Sequence, residues 1–416
     1  MNLQTARGTF DILPEDQPRY RALYRAAERV LRSAGVQEIA TPIFEYTDVF
    51  IKSVGASSDL VVQHEMYTFD KGERSLTLRP EFTAGVLRAF IENGLSSRRS
   101  PVKLWSKGPV FRRERPQRGR FHQFHQVNCE LLGLETPLID AEAIALLYAT
   151  LRECGLSELR VKLGSVGDPE DRARYNDYLR RELRAADLSE TSRERLRLNP
   201  MRILDSKDEN DQAIIRDLKR PLDFLNEDAS AHFEAVKHYL DAWDIPFDID
   251  NSIVRGLDYY RRTAFEVHHG RIGAQSALCG GGRYDDLVES MGGPKTPGVG
   301  WAFGAERVLD ALNEEGVTLP AAPRPALFLV PMDEDAIGEV AQTALKLRPT
   351  FWVEHAYTKR NPGKGLKEAD RAGAHYAALR GSKERQAGVY SVKHLASGEQ
   401  AQIAEDKLEA FLASNI

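Results

Sequence analysis

The sequence has few cysteines, and it lacks both a long apolar run and a large excess of charge of either sign. Its three cysteines, Cys129, Cys154 and Cys279, are too few and too scattered for a disulfide framework or a zinc cluster. A reducing cytoplasm is therefore the expected compartment. The net charge of −5 excludes a global positive field that would attract nucleic acid, so any RNA binding has to come from local patches.

A membrane location is not expected either. No apolar run is long enough to span a bilayer, and the first residues, MNLQTARGTF, do not have the basic and then apolar order of a secretion signal. The 416 residues are enough for two or three domains with a large core.

Changes of composition along the chain predict its organisation. Residues 168–243 are charged, helical in pattern and poor in strand formers, which indicates a helical insertion into a main domain of residues 1–320. The segment Leu319–Pro325, LPAAPRP, has the composition of a linker. Residues 326–416 alternate strand and helix patterns, then continue with a hairpin that turns at Ser397-Gly398 and a final helix. This pattern predicts a C-terminal α/β domain.

The segment from Phe111 to Gly133 predicts two strands joined by a basic turn. Turn residues at Pro116 to Gly119 separate two runs with a period of two residues. Alternate residues of a strand share a face, so the second strand has an apolar and a polar face. The apolar face holds Phe121, Val127, Cys129 and Leu131, and the polar face holds Phe124, Gln126, Asn128 and Glu130. The polar face suits a polar ligand, whereas an ordinary solvated sheet is the alternative.

Two further segments place polar residues beside predicted strand ends. Arg79, Glu81 and Thr83 follow a strand and precede a helix, which is a favourable place to bind ligands, although Glu81 alone could be a helix N-terminal charge. In residues 255–260, RGLDYY, Gly256 permits a tight turn that would present Arg255 and the tyrosines to one spot.

Two glycine-rich segments predict local geometry. The run Gly280–Gly282 matches neither a P-loop nor a dinucleotide fingerprint, and it predicts a bend with Tyr284 pointing inward. In GVGWAFGAERVLDAL, which begins at Gly298, a strand enters a helix, and the spacing of Gly300, Gly304 and Arg307 predicts one shared helix face. An arginine on a packed face needs an anionic partner, because burying it unpaired is costly.

Together these peptides resemble the histidyl-tRNA synthetase family of class II aminoacyl-tRNA synthetases over essentially the whole chain. Residues 35–45 resemble motif 1 of class II enzymes, FRRERPQRGRFHQFHQVNCE resembles motif 2, and GVGWAFGAER resembles motif 3. LRPEFT at 78–83, RGLDYY at 255–260 and GGRYD at 281–285 resemble peptides specific to the histidine enzymes. The C-terminal residues resemble the anticodon-binding domain of the family, including ADRAGA and SGEQ.

The resemblance implies a fold and an activity. The fold is an α+β catalytic domain with an antiparallel sheet flanked by helices and a helical insertion, followed by an α/β anticodon-binding domain. The expected enzyme is a cytoplasmic homodimer, formed partly through motif 1, where Pro42 indicates either a sheet edge or a dimer-forming strand. It activates L-histidine with ATP and Mg²⁺ to histidyl-adenylate and pyrophosphate, then transfers histidine to the terminal ribose of tRNA(His).

The chemistry of that reaction assigns roles to the residues of the matched motifs. Adenylate formation depends on positioning and on positive charge at the α-phosphate, for which guanidinium groups are suited. Arg112 and Arg255 are the expected catalytic residues, and Arg112, Glu114 and Arg307 are the expected ATP-binding residues. Histidine is expected to bind to Glu81, Thr83, Gln126, Glu130, Tyr259, Tyr260 and Tyr284. Glu130 and Tyr260 would read the two imidazole nitrogens, and no residue is assigned to a metal.

Two departures and two alternatives accompany this interpretation. Phe82 stands where bacterial members usually have glycine, and His122 stands where they usually have arginine, which puts a phosphate or tRNA contact there in doubt. One alternative is the non-catalytic, histidine-binding regulatory subunit of ATP phosphoribosyltransferase, which typically lacks the C-terminal domain and has a degraded RGLDYY peptide. The other is a simple RNA-binding module, which explains the basic turn and the cluster around Lys359 but not Glu130 or Arg307.

Overall fold

A large sheet and a smaller one organise two separate units of the chain. The computed structural model describes residues 3–54, 65–72, 74–113, 121–206, 208–253, 259–270 and 277–416. The first unit ends at Pro320, the second begins at Ala321, and each has its own hydrophobic core. No helix within these ranges is both long and apolar enough to cross a membrane.

The first unit is a mixed α and β structure. Its strands are β1 (Gln37–Glu38), β2 (Phe44–Tyr46), β3 (Thr68–Lys71), β4 (Arg74–Leu78), β5 (Val102–Phe111), β6 (Gln123–Leu132), β7 (Leu159–Ser165), β8 (Phe247–Ile249), β9 (Arg261–His269), β10 (Ala277–Arg283) and β11 (Gly298–Gly304). Its helices are α1 (Gln17–Ser33), α2 (Thr47–Val54), α3 (Thr83–Glu92), α4 (Pro137–Glu153), α5 (Pro169–Glu182), α6 (Glu190–Leu198), α7 (Glu209–Arg216), α8 (Glu227–Ala242), α9 (Leu287–Ser290) and α10 (Ala305–Glu314).

Eight of these strands form one sheet in the order β1-β5-β6-β11-β10-β9-β7-β8, and β2-β4-β3 form a small second sheet. Neighbours in the large sheet are antiparallel except at its edges, where β1 is parallel to β5 and β8 is parallel to β7. Helices α1, α4, α8 and α10 pack on one face around a shared core. The predicted antiparallel sheet flanked by helices is confirmed.

The hairpin predicted at the centre of the chain is formed by β5 and β6. The two strands pair from Val102 opposite Leu132 to Phe111 opposite Gln123, and the turn predicted at Pro116 to Gly119 lies outside the described residues. Val127, Cys129 and Leu131 are buried in the core beneath the helices. The predicted alternation is therefore confirmed for these three residues, and it leaves the amides and the carboxylate of β6 on the opposite face. The prediction is wrong for Phe121, which precedes β6 and packs on Phe10 with ring centroids 4.6 Å apart instead of in this core, because the period of two holds only within the strand.

The two glycine-rich segments differ from the sequence prediction. Gly280–Gly282 lie within β10 rather than at a bend, and the register with β9 shifts on both sides of the run. Strand β11 extends to Gly304 and α10 begins only at Ala305, so the prediction that Gly300 and Arg307 share a helix face is wrong. The segment stays extended because Gly300 pairs with Glu130 of β6 on one side and with Gly282 of β10 on the other.

The chain between β7 and β8 is helical, but its helices divide between two cores. Helices α5, α6 and α7 surround a small cluster that includes Tyr175, Leu179 and Ile203. Helix α8 packs on α4 instead, and its Phe233 and Val236 belong to the core of the large sheet. The residues before α8 thus form a helical module, which is shorter than the predicted insertion of 168–243.

Asp168 ties this helical module to the large sheet. It caps the first turn of α5 and accepts hydrogen bonds from Arg261 Nε at 2.7 Å, Arg262 Nε at 2.9 Å and Arg262 Nη2 at 3.0 Å. These hydrogen bonds, together with one from Asn226, hold the pKa of the Asp168 carboxyl well below its usual range against the effect of burial. Arg262 has a positive φ of 53°, which a residue with a side chain rarely adopts, so the contact fixes an unusual backbone position.

The second unit has a five-stranded sheet in the order β13-β12-β14-β15-β16. Its strands are β12 (Leu327–Pro331), β13 (Val353–His355), β14 (Tyr376–Arg380), β15 (Val389–His394) and β16 (Gln400–Ala404). Its helices are α11 (Ala336–Leu347), α12 (Pro362–Arg371), α13 (Ser382–Gln386) and α14 (Leu408–Asn415). The predicted hairpin of β15 and β16 is confirmed, whereas β14 and α13 were not predicted.

Candidate active site

A cavity of about 390 Å³ opens on the polar face of the large sheet. Its walls come from β6, β10 and β11, from the N-terminal ends of α3 and α10, and from tyrosines beside β9 and β10. Eight residues predicted for the site line this cavity: Glu81, Thr83, Arg112, Gln126, Tyr259, Tyr260, Tyr284 and Arg307. Glu130 lies just behind the wall, and Glu114 and Arg255 lie outside the described residues.

Glu130 is the most enclosed carboxylate of the site, with 1% of its surface exposed. Its Oε1 accepts hydrogen bonds from Thr83 Oγ1 at 2.5 Å and Asn128 Nδ2 at 2.8 Å, and its Oε2 accepts one from the Tyr284 hydroxyl. Burial raises the pKa of Glu130 to about 7, although these three hydrogen bonds act in the opposite direction. The group is thus held in one position by neutral donors.

Glu81 sits at the start of α3 and closes the other side of this polar layer. Its carboxylate accepts hydrogen bonds from the backbone N–H groups of Thr83 at 2.5 Å and Ala84 at 2.8 Å, so it neutralises the positive end of the helix. Burial raises its pKa, partly offset by these hydrogen bonds and by the charge of Arg112. The neighbouring Phe82 is 1% exposed and packs in an apolar cluster with the Arg79 guanidinium over its ring, so this departure does not alter the lining.

Three tyrosines form an aromatic corner of the cavity. The rings of Tyr259 and Tyr260 are 4.6 Å apart, and those of Tyr259 and Tyr284 are 5.7 Å apart. Burial raises the pKa of Tyr259 and of Tyr284 well above the usual value, so both hydroxyls keep their protons, and that of Tyr284 donates to Glu130. Tyr284 points inward as predicted.

A buried acceptor lies beside the cavity and has no partner among the described residues. The side chain of Gln126 is among the residues that line it, and its Oε1 has no hydrogen-bond donor among the described residues. Buried polar atoms of native proteins are nearly always paired, so this oxygen indicates a ligand that brings a donor. A protonated amine fits that requirement.

Two arginines give the cavity its positive charge. Arg112 follows β5, donates from Nε to the Pro80 carbonyl at 2.8 Å, and lies 5.5 Å from the ring centre of Phe124. Arg307 lies in the first turn of α10 and donates from Nη1 to the Ala277 carbonyl at 2.8 Å. These contacts hold both guanidinium groups at the cavity wall. A guanidinium group is suited to bind the oxygens of a phosphate or carboxylate.

The other departure, His122, packs at the edge of motif 2. Its Nδ1 is 2.9 Å from the Tyr67 hydroxyl, and its backbone N–H donates to the Gly8 carbonyl at 2.7 Å. His125, which lies in β6, has its Nδ1 2.8 Å from Glu306 Oε1. His122 therefore packs with Gly8 and Tyr67.

Comparison with known proteins agrees with the geometry. The family model described as histidyl-tRNA synthetase matches residues 8–308, and the anticodon binding domain model matches residues 326–415. The chain belongs to the histidyl-tRNA synthetase family. It is 53% identical to the histidine--tRNA ligase of Thermus thermophilus, with 99% of each chain covered. It is 48% identical to that of Deinococcus radiodurans, with 99% of this chain and 100% of the relative covered.

A solved histidyl-tRNA synthetase has the same fold. The apo enzyme of S. aureus is 36% identical and superposes with a TM-score of 0.82, covering 99% of this chain and 100% of that chain. The second unit is accordingly an anticodon-binding domain.

Sequence reasoning missed part of the site of this histidyl-tRNA synthetase. Asn128 was placed on the polar face but received no role, although it donates to Glu130. Gly300 was assigned to a helix, although it lies beside Glu130 on the neighbouring strand. Extending β11 to Gly304 would have placed Gly300 in a strand, but the neighbouring position of β6 has no signal in the local sequence.

Proposed function

We propose that this chain activates L-histidine with ATP and then transfers it to the terminal ribose of tRNA(His). The observation that carries the proposal is the arrangement of the cavity, which brings buried carboxylates and phenols together with two arginines and with an amide oxygen that has no donor among the described residues. The first group suits the amine and imidazole of histidine, and the second suits the phosphates of ATP.

Histidine recognition is assigned to the buried polar layer. The neutral imidazole has one N–H donor and one acceptor nitrogen, which the Glu130 carboxylate and the Tyr260 hydroxyl complement. The α-ammonium group would donate to Glu81, Thr83 and Gln126, the last of which has the unpaired Oε1. An amino acid that leaves these buried groups unpaired would be rejected by about 10⁴-fold.

Adenylate formation is assigned to the arginines. The carboxylate of histidine attacks the α-phosphorus, the bond to the β-phosphate oxygen breaks, and pyrophosphate leaves. Arg112, with Arg255, would neutralise the charge that develops on the α-phosphate, and Arg307 would hold the γ-phosphate. The terminal ribose hydroxyl of the tRNA then attacks the carbonyl of the adenylate and releases AMP.

Magnesium would supply further charge neutralisation on the phosphates of ATP. Mg²⁺ in nucleotide sites is held mostly by phosphate oxygens and water, with one or two carboxylates. Glu266 lines the cavity together with Arg307 and fits that limited role, as does Glu114 of motif 2 by its sequence position. No group of three His, Cys, Asp or Glu side chains within the described ranges forms a separate metal site.

The test is ATP–pyrophosphate exchange by the purified chain without tRNA, with each of the twenty amino acids. Exchange with histidine alone is expected, followed by charging of tRNA(His) when the tRNA is added. Histidine binding in a calorimeter without any exchange would instead support the regulatory subunit of ATP phosphoribosyltransferase.

Glu130→Ala should raise the KM for histidine much more than that for ATP, and equal small effects on both KM values would show that Glu130 does not bind histidine.

We also propose that the enzyme is a cytoplasmic homodimer formed through the small sheet and α2. Large apolar side chains are exposed here, namely Ile43 (45%), Phe44 (52%), Tyr46 (47%), Ile51 (38%) and Phe69 (44%). A group of exposed apolar side chains of this kind marks an interaction surface. Phe44→Ser combined with Phe69→Ser should halve the mass found by sedimentation equilibrium, whereas Leu345→Ser in the second unit should not. An unchanged mass would place the interface elsewhere.

A further inference from the structure

Glu130 is seated against a residue that has no side chain. Gly300 of β11 pairs directly with Glu130 of β6, and both face the cavity side of the sheet. A Cβ atom built on Gly300 would lie 1.7 Å from Glu130 Oε2 and 2.6 Å from its Cδ. It would also lie 2.8 Å from the backbone oxygen of Cys129, which leaves it no room to move aside. Any side chain at Gly300 therefore excludes the observed position of the Glu130 carboxylate.

The same relation recurs at two other residues predicted to bind histidine. A Cβ on Gly298 would lie 2.4 Å from Tyr284 Cε2, and a Cβ on Gly282 would lie 2.6 Å from Tyr260 Cδ1. Gly282 and Gly300 are paired across β10 and β11, so these glycines are neighbours on one face of the sheet. Each removes a side chain at the point where a pocket residue packs flat on the backbone.

On the opposite face of β10, a glycine packs against core residues. A Cβ on Gly281 of β10 would lie 2.4 Å from the backbone oxygen of Gly300, 2.5 Å from Phe265 Cζ and 2.8 Å from Trp301 Cβ, and these two side chains belong to the core beneath the helices. Packing of helices on the sheet explains that glycine, but it does not explain Gly282, Gly298 or Gly300. Those three contact pocket side chains.

Glu130 is also fixed from its other side. The hydrogen bonds from Thr83, Asn128 and Tyr284 occupy both carboxylate oxygens, so the side chain cannot adopt another rotamer without leaving buried donors unpaired. Gly300 sets how far the carboxylate withdraws behind the cavity wall, and the donors set its direction. The depth of the pocket at its imidazole end depends on both.

We propose that Gly300 sets the affinity of the amino-acid pocket for histidine by fixing the depth of the Glu130 carboxylate, with Gly282 and Gly298 seating Tyr260 and Tyr284. This inference rests on the proposed binding of histidine by Glu130. Gly300 acts through Glu130 and is therefore a positioning residue. An added methyl group at Gly300 displaces the carboxylate toward the cavity, where it occupies space that the imidazole needs.

The test is a double-mutant cycle with Gly300→Ala and Glu130→Asp, measured by ATP–pyrophosphate exchange. Gly300→Ala should raise the KM for histidine at least about 100-fold and change the KM for ATP less than about threefold, since only the imidazole end is altered. Asp is one methylene shorter than Glu, so the KM for histidine of the double variant should be at least about tenfold lower than that of Gly300→Ala. The proposal would be overturned if the KM for histidine of the double variant rose by the product of the increases measured in the two single variants.

A matched control separates this effect from damage to the sheet. Gly164 of β7 lies in the same sheet, and its Cβ would meet the backbone oxygen of Asp250 at 2.7 Å, away from the cavity lining. Gly164→Ala should lower the melting temperature and leave the ratio of the two KM values within about threefold of wild type. A similar rise of the histidine KM in both variants would identify Gly300 as merely structural.

The outcomes remain decisive if Gly300→Ala does not fold. A folded, histidine-dependent double variant would then support the steric coupling directly. Failure of both variants to fold would overturn the proposal, because the contact with the Cys129 backbone oxygen, which Glu130→Asp leaves in place, would then make Gly300 a structural residue and not a positioning one. Wild-type exchange with histidine reports on the proposed function by itself. Wild-type exchange together with an unchanged histidine KM in Gly300→Ala would refute only the present inference.

Discussion

Glu130 combines a charge with nearly complete burial, and these two properties oppose each other. Burial raises its pKa from 4.5 to about 7, so the folded protein holds a proton there that the unfolded chain loses between these pH values. The folded state is therefore destabilised as the pH rises from about 4.5 to 7. A carboxylate retained at this cost is a sign of function rather than of stability.

This opposition predicts that Glu130→Gln stabilises the protein in a pH-dependent way. At pH 8 the variant should be more stable than wild type by about 3 kcal/mol, because glutamine keeps hydrogen-bonding atoms without the charge. At pH 5 the advantage should nearly vanish, because Glu130 is then protonated. Thermal unfolding at the two pH values measures the difference, and the exposed Glu15→Gln serves as the control. An advantage of the same size at both pH values would refute the link to ionisation.

Arg112 leads to a prediction about rate. Its guanidinium lines the cavity and is anchored by the Pro80 carbonyl, so it is preorganised for charge that develops at the α-phosphate. Arg112→Ala should slow adenylate formation by about 10²-fold to 10³-fold. Single-turnover measurement should show this loss while calorimetry still shows histidine binding. An unchanged single-turnover rate would exclude Arg112 from catalysis.

At this scale the sequence indicated which residues share a face but not how closely they pack. Parity alone placed Gln126, Asn128 and Glu130 together, since side-chain direction is a local property of a strand. The relation between Gly300 and Glu130 depends on which strands are neighbours, and residues so distant in sequence carry no local signal of it. The helical spacing predicted for Gly300 and Arg307 was wrong because Gly300 lies in β11 and Arg307 lies in α10, so the helical period applies to only one of them.

At the scale of elements, Asp168 connects the helical module to the strand that follows the tyrosines. Asp168→Asn keeps a good N-cap residue for α5 but removes the charge that pairs with Arg261 and Arg262. The variant should lose about 2 kcal/mol of stability, less than for a fully buried pair because the two arginines are partly exposed. Thermal unfolding of the variant measures the loss.

The matched control for Asp168 is Asp177→Asn. Asp177 lies in the same helix, and its one ion pair within the described part of the chain is with Arg180, at 3.4 Å and with both side chains well exposed. Its replacement should cost less than about 0.5 kcal/mol. Equal effects of the two variants would show that the contact of Asp168 with the sheet contributes nothing particular.

Two elements show where sequence patterns reach their limit. The periodicity of α8 correctly predicts a helix, but an apolar stripe does not indicate which core it enters, so its packing on α4 was missed. Strand β14, YAALR, is buried along its whole length and lies between two neighbours in the sheet. A strand that is buried on both faces lacks the alternation of apolar and polar residues by which a strand is predicted. Its sequence is therefore equally compatible with part of a helix.

At the scale of the whole molecule, the two units have separate cores, so their functions should be separable by substitution. Tyr357 in the second unit is 78% exposed beside His355, and it precedes Lys359 and Arg360 in the chain. An exposed aromatic ring among basic residues suits stacking with an unpaired base, worth about 1–3 kcal/mol. Tyr357→Ala should therefore raise the KM for tRNA about tenfold.

The same variant should leave ATP–pyrophosphate exchange unchanged, because that reaction takes place in the first unit. Leu345→Ala, which removes another exposed apolar side chain of the second unit, is the control and should alter neither reaction. A loss of exchange in Tyr357→Ala would contradict the independence of the units, and an unchanged KM for tRNA would remove Tyr357 from the nucleic-acid contact.

The strand order of the large sheet has a consequence for synthesis on the ribosome. Strand β11 lies between β6 and β10, although it is the last strand of the first unit to be made. Until Gly304 has left the exit tunnel, the nascent chain contains strand edges on β6 and β10 that have no partner, and exposed edges of this kind pair readily with other chains. The first unit therefore cannot finish folding while it is being elongated toward β11, and this interval is when it most needs a chaperone.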